Sequence, residues 1–243
     1  MGLTIHYQLR LPGSVGKAGV EHLVRAVHRR AAALVRRREL AEITPVQEAD
    51  LDAFRNCQFV SEERDGTTFG HDVPADCGWV FSVWPGPDCE SARFGLCHYP
   101  ATIKVGRRTL RTGCGGWGYA SFCKTQYASL HGAEHFLKCH LAVIDLVLLW
   151  QKAGATVKIN DEGDYWPGRN KAKLRAECEK MNRLMAAFAG ALKDAGDEGG
   201  PTVESPIFQH TQFELLEAQG LAENSAKIPR AAKIVSSIAA RKR

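Results

Sequence analysis

The sequence lacks the segments that direct a chain into or across a membrane. A transmembrane helix needs about 20 consecutive apolar residues, but the longest apolar run, LAVIDLVLLW at 141–150, is shorter and contains Asp145. The N-terminal MGLTIHYQLR alternates apolar and polar residues, whereas a signal peptide has a basic start followed by an apolar run. We therefore expect a soluble, cytoplasmic protein without a signal peptide.

Closely spaced cysteine pairs are also missing. The chain has 8 cysteines at irregular spacings, and no two of them form a C-x-x-C pair. Structural zinc sites use such close pairs, and disulfide frameworks belong to oxidising compartments. The pattern therefore predicts reduced thiols that behave as small buried apolar side chains.

The common nucleotide and hydrolase motifs are absent as well. The sequence contains no G-x-x-x-x-G-K-[ST] loop, no G-x-S-x-G elbow and no G-x-G-x-x-G after a predicted strand. GCGGWG at 113–118 precedes a strand, so it lacks the helix N-terminus that would hold a phosphate. This excludes the standard signatures of P-loop, α/β-hydrolase and dinucleotide-binding proteins.

The apolar periodicity predicts an α+β fold. Strict alternation over 3–11 predicts a strand, and helical spacing predicts helices from about 132 to 153 and from 170 to 195. Further strands are predicted at 79–84, 92–99, 117–129 and 156–160, with a hairpin turning at Gly106 and Arg107. We expect a mixed sheet with helices mainly on one face, an order that two ferredoxin-like halves would accommodate.

The chain is expected to form one domain over residues 1–195, followed by a linker at 196–205. A C-terminal helical segment with a basic tail would then occupy 206–243. AEITPVQE, at 41–48, predicts a short strand at a sheet edge because it contains Pro45. Residues 61–78 are acidic and rich in turn-forming residues, which predicts a surface loop.

Positive charge is concentrated in the first fifth, the middle and the tail of the chain. Residues 101–160 contain eight Lys or Arg and two Asp or Glu. The candidate anion-binding residues lie in this region: Lys104, Arg107, Arg108, Arg111, Trp117 and Lys124. Phosphates require positive charge and bases can stack on aromatic rings, so this set could bind nucleic acid or another anionic ligand. An Arg-rich helix at 20–38 could add to it, or could simply be a solvated helix face.

The stretch SFCKTQYASLHGAEHFLKCH, at 121–140, is the richest in reactive side chains. If the strands before and after its helix are parallel, their carboxyl ends meet at one sheet edge. His131, His135, Asp161 and Asp164 would then be candidate ligands for a divalent cation. The two histidines share the four-residue spacing of a helical zinc site, but an exposed surface pair and a plain acidic turn are the alternatives.

Candidate catalytic residues lie in the same region. Tyr127, Asp161 and Glu162 could divide acid and base roles at that edge, because crowded carboxylates have pKa values that are pushed apart. His140 falls on the apolar face of its helix, where it is either a satisfied core histidine or a partner that activates Cys123.

MGLTIHY, FCKTQYAS and DEG followed shortly by an aromatic residue resemble an uncharacterised family of bacterial proteins. The resemblance covers most of the chain. It implies a bacterial cytosolic protein and brings no activity with it.

Three functional hypotheses follow from these features. The first is a binding or accessory module whose basic surfaces engage nucleic acid, another anionic ligand or an acidic protein partner. The second is a hydrolase or transferase, with or without a metal, at the edge formed by residues 127–135 and 161–164. The third is a structural partner in a larger complex, with its contact segment in the C-terminal region.

Overall fold

A computed structural model describes residues 3–197, 203–224 and 228. The side chains of residues 195–197 lie outside the described residues, as do residues 198–202 of the predicted linker and the basic tail after 228. The chain forms two compact units. The sheet unit comprises residues 5–123 and 139–160, and the helical unit comprises the described residues among 1–4, 124–138 and 161–243. The predicted α+β class is confirmed, whereas the two ferredoxin-like halves are not.

Eleven strands are present in the described chain. They are β1 (Thr4–Arg10), β2 (Glu42–Ile43), β3 (Gln47–Glu48), β4 (Gln58–Arg64), β5 (Thr67–Val73), β6 (Cys77–Trp84), β7 (Ala92–Tyr99), β8 (Thr102–Val105), β9 (Arg108–Arg111), β10 (Gly116–Lys124) and β11 (Thr156–Asp161). The main sheet has the order β11-β1-β10-β7-β6-β2, and β3 also pairs with β6. The short strands on either side of Pro45 thus lie at the sheet edge, as predicted.

One face of the main sheet is covered by two helices, α1 (Lys17–Arg36) and α2 (Ala133–Lys152). Phe81 of β6 shows that both lie on the same face. Its ring centroid is 5.1 Å from that of His28 in α1 and 6.2 Å from that of Trp150 in α2. Tyr7 belongs to this face too, because its ring stacks on Phe94 at 4.8 Å. Since side chains alternate along a strand, the neighbours of Tyr7 in β1 point to the opposite face.

The opposite face is partly covered by a hairpin that the sequence analysis predicts wrongly as a loop. β4 and β5 pair antiparallel along their full length. Asp65 and Gly66 connect them with φ values of 52° and 72°, as a type I′ turn requires. A second apolar cluster lies on the sheet unit and includes Val73, Cys97 and Tyr119. β8 and β9 form the predicted hairpin, with Gly106 at φ 59°.

In the helical unit, α3 (Lys171–Asp197) packs against α4 (Phe213–Glu223). The two helices approach closely at Gly220, where a Cβ atom would lie 2.1 Å from the carbonyl oxygen of Arg183. Gln126, Ser129 and their neighbours form a 3-10 helix, Gln126–His131, where the sequence analysis predicts a continued strand.

Among the described residues, no helix combines the length and the apolar character needed to cross a membrane. All eight cysteines are free thiols.

Candidate functional site

The most distinctive surface of the sheet unit is a shallow groove of about 590 Å³ on the face that α1 and α2 leave uncovered. It crosses three neighbouring strands, β10, β1 and β11. Its lining residues are His6, Tyr7, Gln8, Ala120, Ser121, Phe122, Lys158, Ile159 and Asn160. We refer to this surface as the sheet groove.

Phe122 and His6 form the aromatic part of the groove. Phe122 is 54% exposed although it lies within a strand of the main sheet. Its ring centroid is 5.9 Å from that of the exposed His6, and the two planes are tilted by 43°. Alternation explains the placement, because Tyr7 and Cys123 take the buried positions and leave these two rings facing outward. A large exposed aromatic ring on a sheet is a feature of binding surfaces.

The groove is bordered by cationic and neutral polar side chains. Lys158 and Asn160 are exposed on β11, and Gln8 is half-buried on β1. Arg10 follows on the same side of β1 as His6. None of the strands β1, β8, β9 and β10 contains an Asp or a Glu. An anionic ligand would therefore meet little like charge along these strands.

Arg10 connects the groove with the basic hairpin. Its guanidinium donates a hydrogen bond from Nη2 to the carbonyl oxygen of Gly113, at 3.1 Å. Gly113 lies two positions after Arg111, the last residue of β9. Cationic side chains thus continue from the end of β1 to the hairpin.

Three of the four predicted hairpin cations keep their charge exposed to solvent. Lys104 donates to the hydroxyl of Thr109 at 2.8 Å, which leaves its charge unneutralised. Arg107 and Arg111 are exposed and make no ion pair within the part of the chain that the structure describes. Arg108 differs, because it binds both carboxylate oxygens of Glu62, at 2.6 and 3.1 Å.

Trp117 does not have the predicted role beside this hairpin. It is only 8% exposed, and its ring stacks on Trp79 with a centroid distance of 6.1 Å. His98 contacts it edge-on at 5.2 Å. A buried ring cannot offer its face to a base, whereas the rings of Phe122 and His6 are exposed in the sheet groove. Lys124, the last residue of β10, is half-buried.

The predicted acidic edge is a structured turn. The carboxylate of the buried Asp161 accepts hydrogen bonds from the backbone N–H groups of Gly163, Tyr165 and Trp166, at 2.8 to 2.9 Å. Glu162 accepts from the backbone N–H of Thr4 at 2.9 Å. Asp164 forms an exposed ion pair with Lys173, also at 2.9 Å. All three carboxylates therefore bind groups of the protein itself and stabilise the local structure.

His131 and His135 lie beside each other, with ring centroids 5.1 Å apart. His131 is exposed and His135 is partly buried. Within residues 3–197, 203–224 and 228, no three His, Cys, Asp or Glu side chains are arranged so that they could hold a metal ion. The divalent cation of the second hypothesis thus gains no support from the geometry.

Of the remaining catalytic candidates, Cys123 and His140 are buried and Tyr127 is half-buried. Cys123 is fully buried and donates from Sγ to the carbonyl oxygen of Glu90 at 3.1 Å. Burial raises the pKa of this thiol well above its usual range, with a smaller contribution from Glu90, and a protonated thiol is a poor nucleophile. His140 is fully buried, as its helix position predicts. Tyr127 packs against an apolar cluster that includes Met185 and Ile207.

Comparison with known proteins yields no relative. No protein-family model, no curated protein and no solved structure matches this chain. The resemblance to an uncharacterised bacterial family therefore stays a prediction, and the function must be argued from the site itself.

Sequence reasoning missed the groove although it correctly placed His6 on the polar face of its strand. Phe122 escaped notice because a single Phe in SFCK, between Ser121 and Cys123, gives no sign of which strand face is buried. A usable signal was available in Cys123: a Cys is usually buried, so its neighbours in a strand are expected to face the other way.

Proposed function

We propose that the protein binds single-stranded nucleic acid across the sheet groove. The observation that supports this most directly is the exposed Phe122 and His6 pair beside Lys158, on the sheet face opposite α1 and α2. The proposal keeps the first functional hypothesis, a binding module for an anionic partner, and moves its aromatic platform from Trp117 to Phe122.

The proposed chemistry separates into stacking and charge. Bases stack on exposed aromatic rings without regard to sequence, and each such contact contributes about 1–3 kcal/mol to binding. Phosphates would be held by cations near the rings, among them Lys158 in the groove and Arg10, four residues after His6 on β1. The hairpin residues Arg107 and Arg111 would extend this contact beyond the groove. The binding is expected to tolerate many base sequences, because every base has a planar face that can stack on an aromatic ring.

A single strand fits this surface better than the alternatives. In a duplex the base faces are stacked on each other and cannot reach the rings of Phe122 and His6. An acidic peptide would satisfy the cations and would leave the rings without planar partners. The hydrolase or transferase hypothesis is less well supported, because its candidate carboxylates are bound by backbone N–H groups and by Lys173.

The proposal can be tested by fluorescence anisotropy with a labelled oligothymidylate at several salt concentrations. The slope of log Kd against log salt should reflect a few phosphate contacts, at about 0.7 per contact for a single strand. Lys158→Gln should weaken binding at low salt and reduce the slope by about 0.7. Arg30→Gln on α1 is the matched control, because it removes one exposed charge from the helix-covered face.

Two results would overturn the proposal. One is equal loss of affinity in Lys158→Gln and Arg30→Gln, which would reveal attraction by net charge alone. The other is tight binding of a polyglutamate peptide that the oligothymidylate fails to displace, which would favour an acidic protein partner.

A further inference from the structure

The helical unit contains a separate pocket of about 280 Å³ that involves no residue of the sheet groove. Its walls are the end of the 3-10 helix with the start of α2, one side of α3 and the segment before α4. The residues that matter for its chemistry are Ser129, Phe136, Arg175, Glu179, Asn182 and His210. We refer to it as the α2–α3 pocket.

The floor of the pocket is neutral and rigid. Phe136 and Cys178 are buried, and burial raises the pKa of the Cys178 thiol to about 12, so the thiol stays protonated. Asn182 is also buried and has its amide fully engaged. It donates from Nδ2 to the Ser129 hydroxyl at 3.0 Å and accepts at Oδ1 from Gln126, also at 3.0 Å. The floor therefore suits an uncharged, largely apolar part of a ligand.

The charged groups lie at the rim. Arg175 and Glu179 are exposed and stand four residues apart on α3, so they share one side of the helix. His210 accepts a hydrogen bond at Nδ1 from the backbone N–H of Gln212, at 3.1 Å. A ring that accepts at Nδ1 carries its proton on Nε2 when neutral, and burial lowers the pKa of His210, which favours the neutral form. The rim thus combines one guanidinium, one carboxylate and one neutral N–H donor.

Arg175 already binds a carboxylate, that of Glu134 in the first turn of α2. The Glu134 side chain is 82% exposed, and ion pairs of this kind contribute little to stability. A ligand carboxylate could therefore replace Glu134 on the guanidinium without a large cost to the fold.

We propose that the α2–α3 pocket binds a small organic monocarboxylate, with its carboxylate on Arg175 and its apolar body against Phe136. The planar guanidinium matches a carboxylate in a bidentate geometry. A single positive charge next to Glu179 favours a monoanion over a phosphate dianion, because the second negative charge would face this carboxylate. The neutral floor selects an apolar body over a second polar group.

The experiment uses the full chain and benzoate as the probe, with benzyl alcohol as the uncharged analogue, followed by isothermal titration calorimetry and saturation-transfer NMR. Benzoate should bind and benzyl alcohol should bind far more weakly. Arg175→Gln should weaken benzoate binding by an order of magnitude or so, as expected for the loss of a charged hydrogen-bond partner. Glu134→Gln should strengthen it several-fold, because it removes the internal competitor for the guanidinium.

The two variants break the same ion pair, so a merely structural role would affect both in the same direction. Opposite effects on benzoate affinity support the proposal. The proposal is overturned if the two variants and the unmodified protein bind benzoate with equal affinity. It is also overturned if no saturation transfer to benzoate occurs at any concentration. Neither result depends on nucleic acid, so this experiment tests carboxylate binding at the α2–α3 pocket independently of nucleic-acid binding at the sheet groove.

Discussion

Removal of the Phe122 ring is the sharpest test of the sheet groove. Phe122 is 54% exposed, so a little under half of the residue is buried in the fold. That fraction is roughly 90 Å² of a phenylalanine, and at about 25 cal/mol/Å² it corresponds to roughly 2 kcal/mol of stability. Small domains have about 5–15 kcal/mol, so Phe122→Ala is expected to stay folded.

The effect on binding should be much easier to see than the effect on folding. Loss of one stacked base costs about 1–3 kcal/mol, which corresponds to a roughly 5- to 150-fold weaker affinity for a labelled oligothymidylate. The assay is fluorescence anisotropy, with urea unfolding measured in parallel to establish that the variant is native. Phe122→Trp should retain most of the affinity, since it keeps an aromatic face at the same position.

Phe54→Ala provides the matched control. Phe54 is 75% exposed on a 3-10 turn outside the groove, so its removal also deletes an exposed phenyl ring from the sheet unit. If Phe122→Ala and Phe54→Ala bind the oligothymidylate with the same affinity, within about twofold, the stacking role of Phe122 is refuted.

Other predictions concern contacts that hold the fold. Asp161→Asn should lower the free energy of unfolding in urea by about 1–3 kcal/mol, because a charged acceptor of three backbone N–H groups is lost, whereas Asp164→Asn at an exposed ion pair should change it far less. An arginine hydrogen bond lowers the pKa of Glu62. The stabilisation of the fold by the Glu62–Arg108 ion pair is therefore complete above pH 4.5, the ordinary pKa of a glutamate, and disappears as the pH falls through the lowered pKa of Glu62. Glu62→Gln should consequently flatten the acid limb of a plot of unfolding free energy against pH. Gly220→Ala should cost about 1–3 kcal/mol through the clash between α3 and α4, and Gly13→Ala, where a Cβ would meet nothing within 4 Å, should be close to neutral.

Contrary results have equally direct meanings. Equal losses for the two aspartate variants would show that Asp161 does not hold the turn. Stabilisation of the native protein by a divalent cation that vanishes in Asp161→Asn would instead revive the metal hypothesis. An unchanged acid limb in Glu62→Gln would mean that its ion pair does not persist in solution. A neutral Gly220→Ala would mean that α3 and α4 can separate enough to admit a methyl group at little cost.

Periodicity predicts the long elements because burial of one face dominates their free energy. The alternation of Leu3, Ile5, Tyr7 and Leu9 predicts β1 to within a residue at each end, and helical spacing does the same for α2. Glycine at Gly106 predicts the β8–β9 hairpin, because the turn needs a residue that tolerates a positive φ.

The errors arise where a local signal has two meanings. Asp65-Gly66 is a turn pair in a loop and equally a type I′ turn between two strands. The composition of residues 61–78 favours a loop, but the flanking residues alternate and pair as β4 and β5. The strand predicted through Ser129 ends instead at Lys124, because period-two patterns of few residues do not separate a strand from a 3-10 helix.

The candidate site was less predictable than the fold for a physical reason. Reactive side chains such as Asp161 and Cys123 suggest chemistry in a sequence, but each is satisfied locally, one by backbone N–H groups and the other by the carbonyl of Glu90. A group that is fully hydrogen-bonded inside the protein has little left to offer a substrate. Phe122, which suggests nothing in the sequence, is exposed because α1 and α2 pack on the other face of the sheet.

The stretch at 121–140 therefore serves two surfaces, and Thr125 is the residue that separates them. Its backbone N–H donates to the carbonyl of Leu3 at 3.1 Å, and its φ of −117° and ψ of −6° end the extended conformation. Before it, alternation presents Phe122 to the sheet groove. After it, helical spacing directs Ser129 and Phe136 to the α2–α3 pocket. Because the break falls between the two residue sets, substitutions on one side should alter one ligand and leave the other unchanged, which makes nucleic-acid and carboxylate binding separable by point mutation.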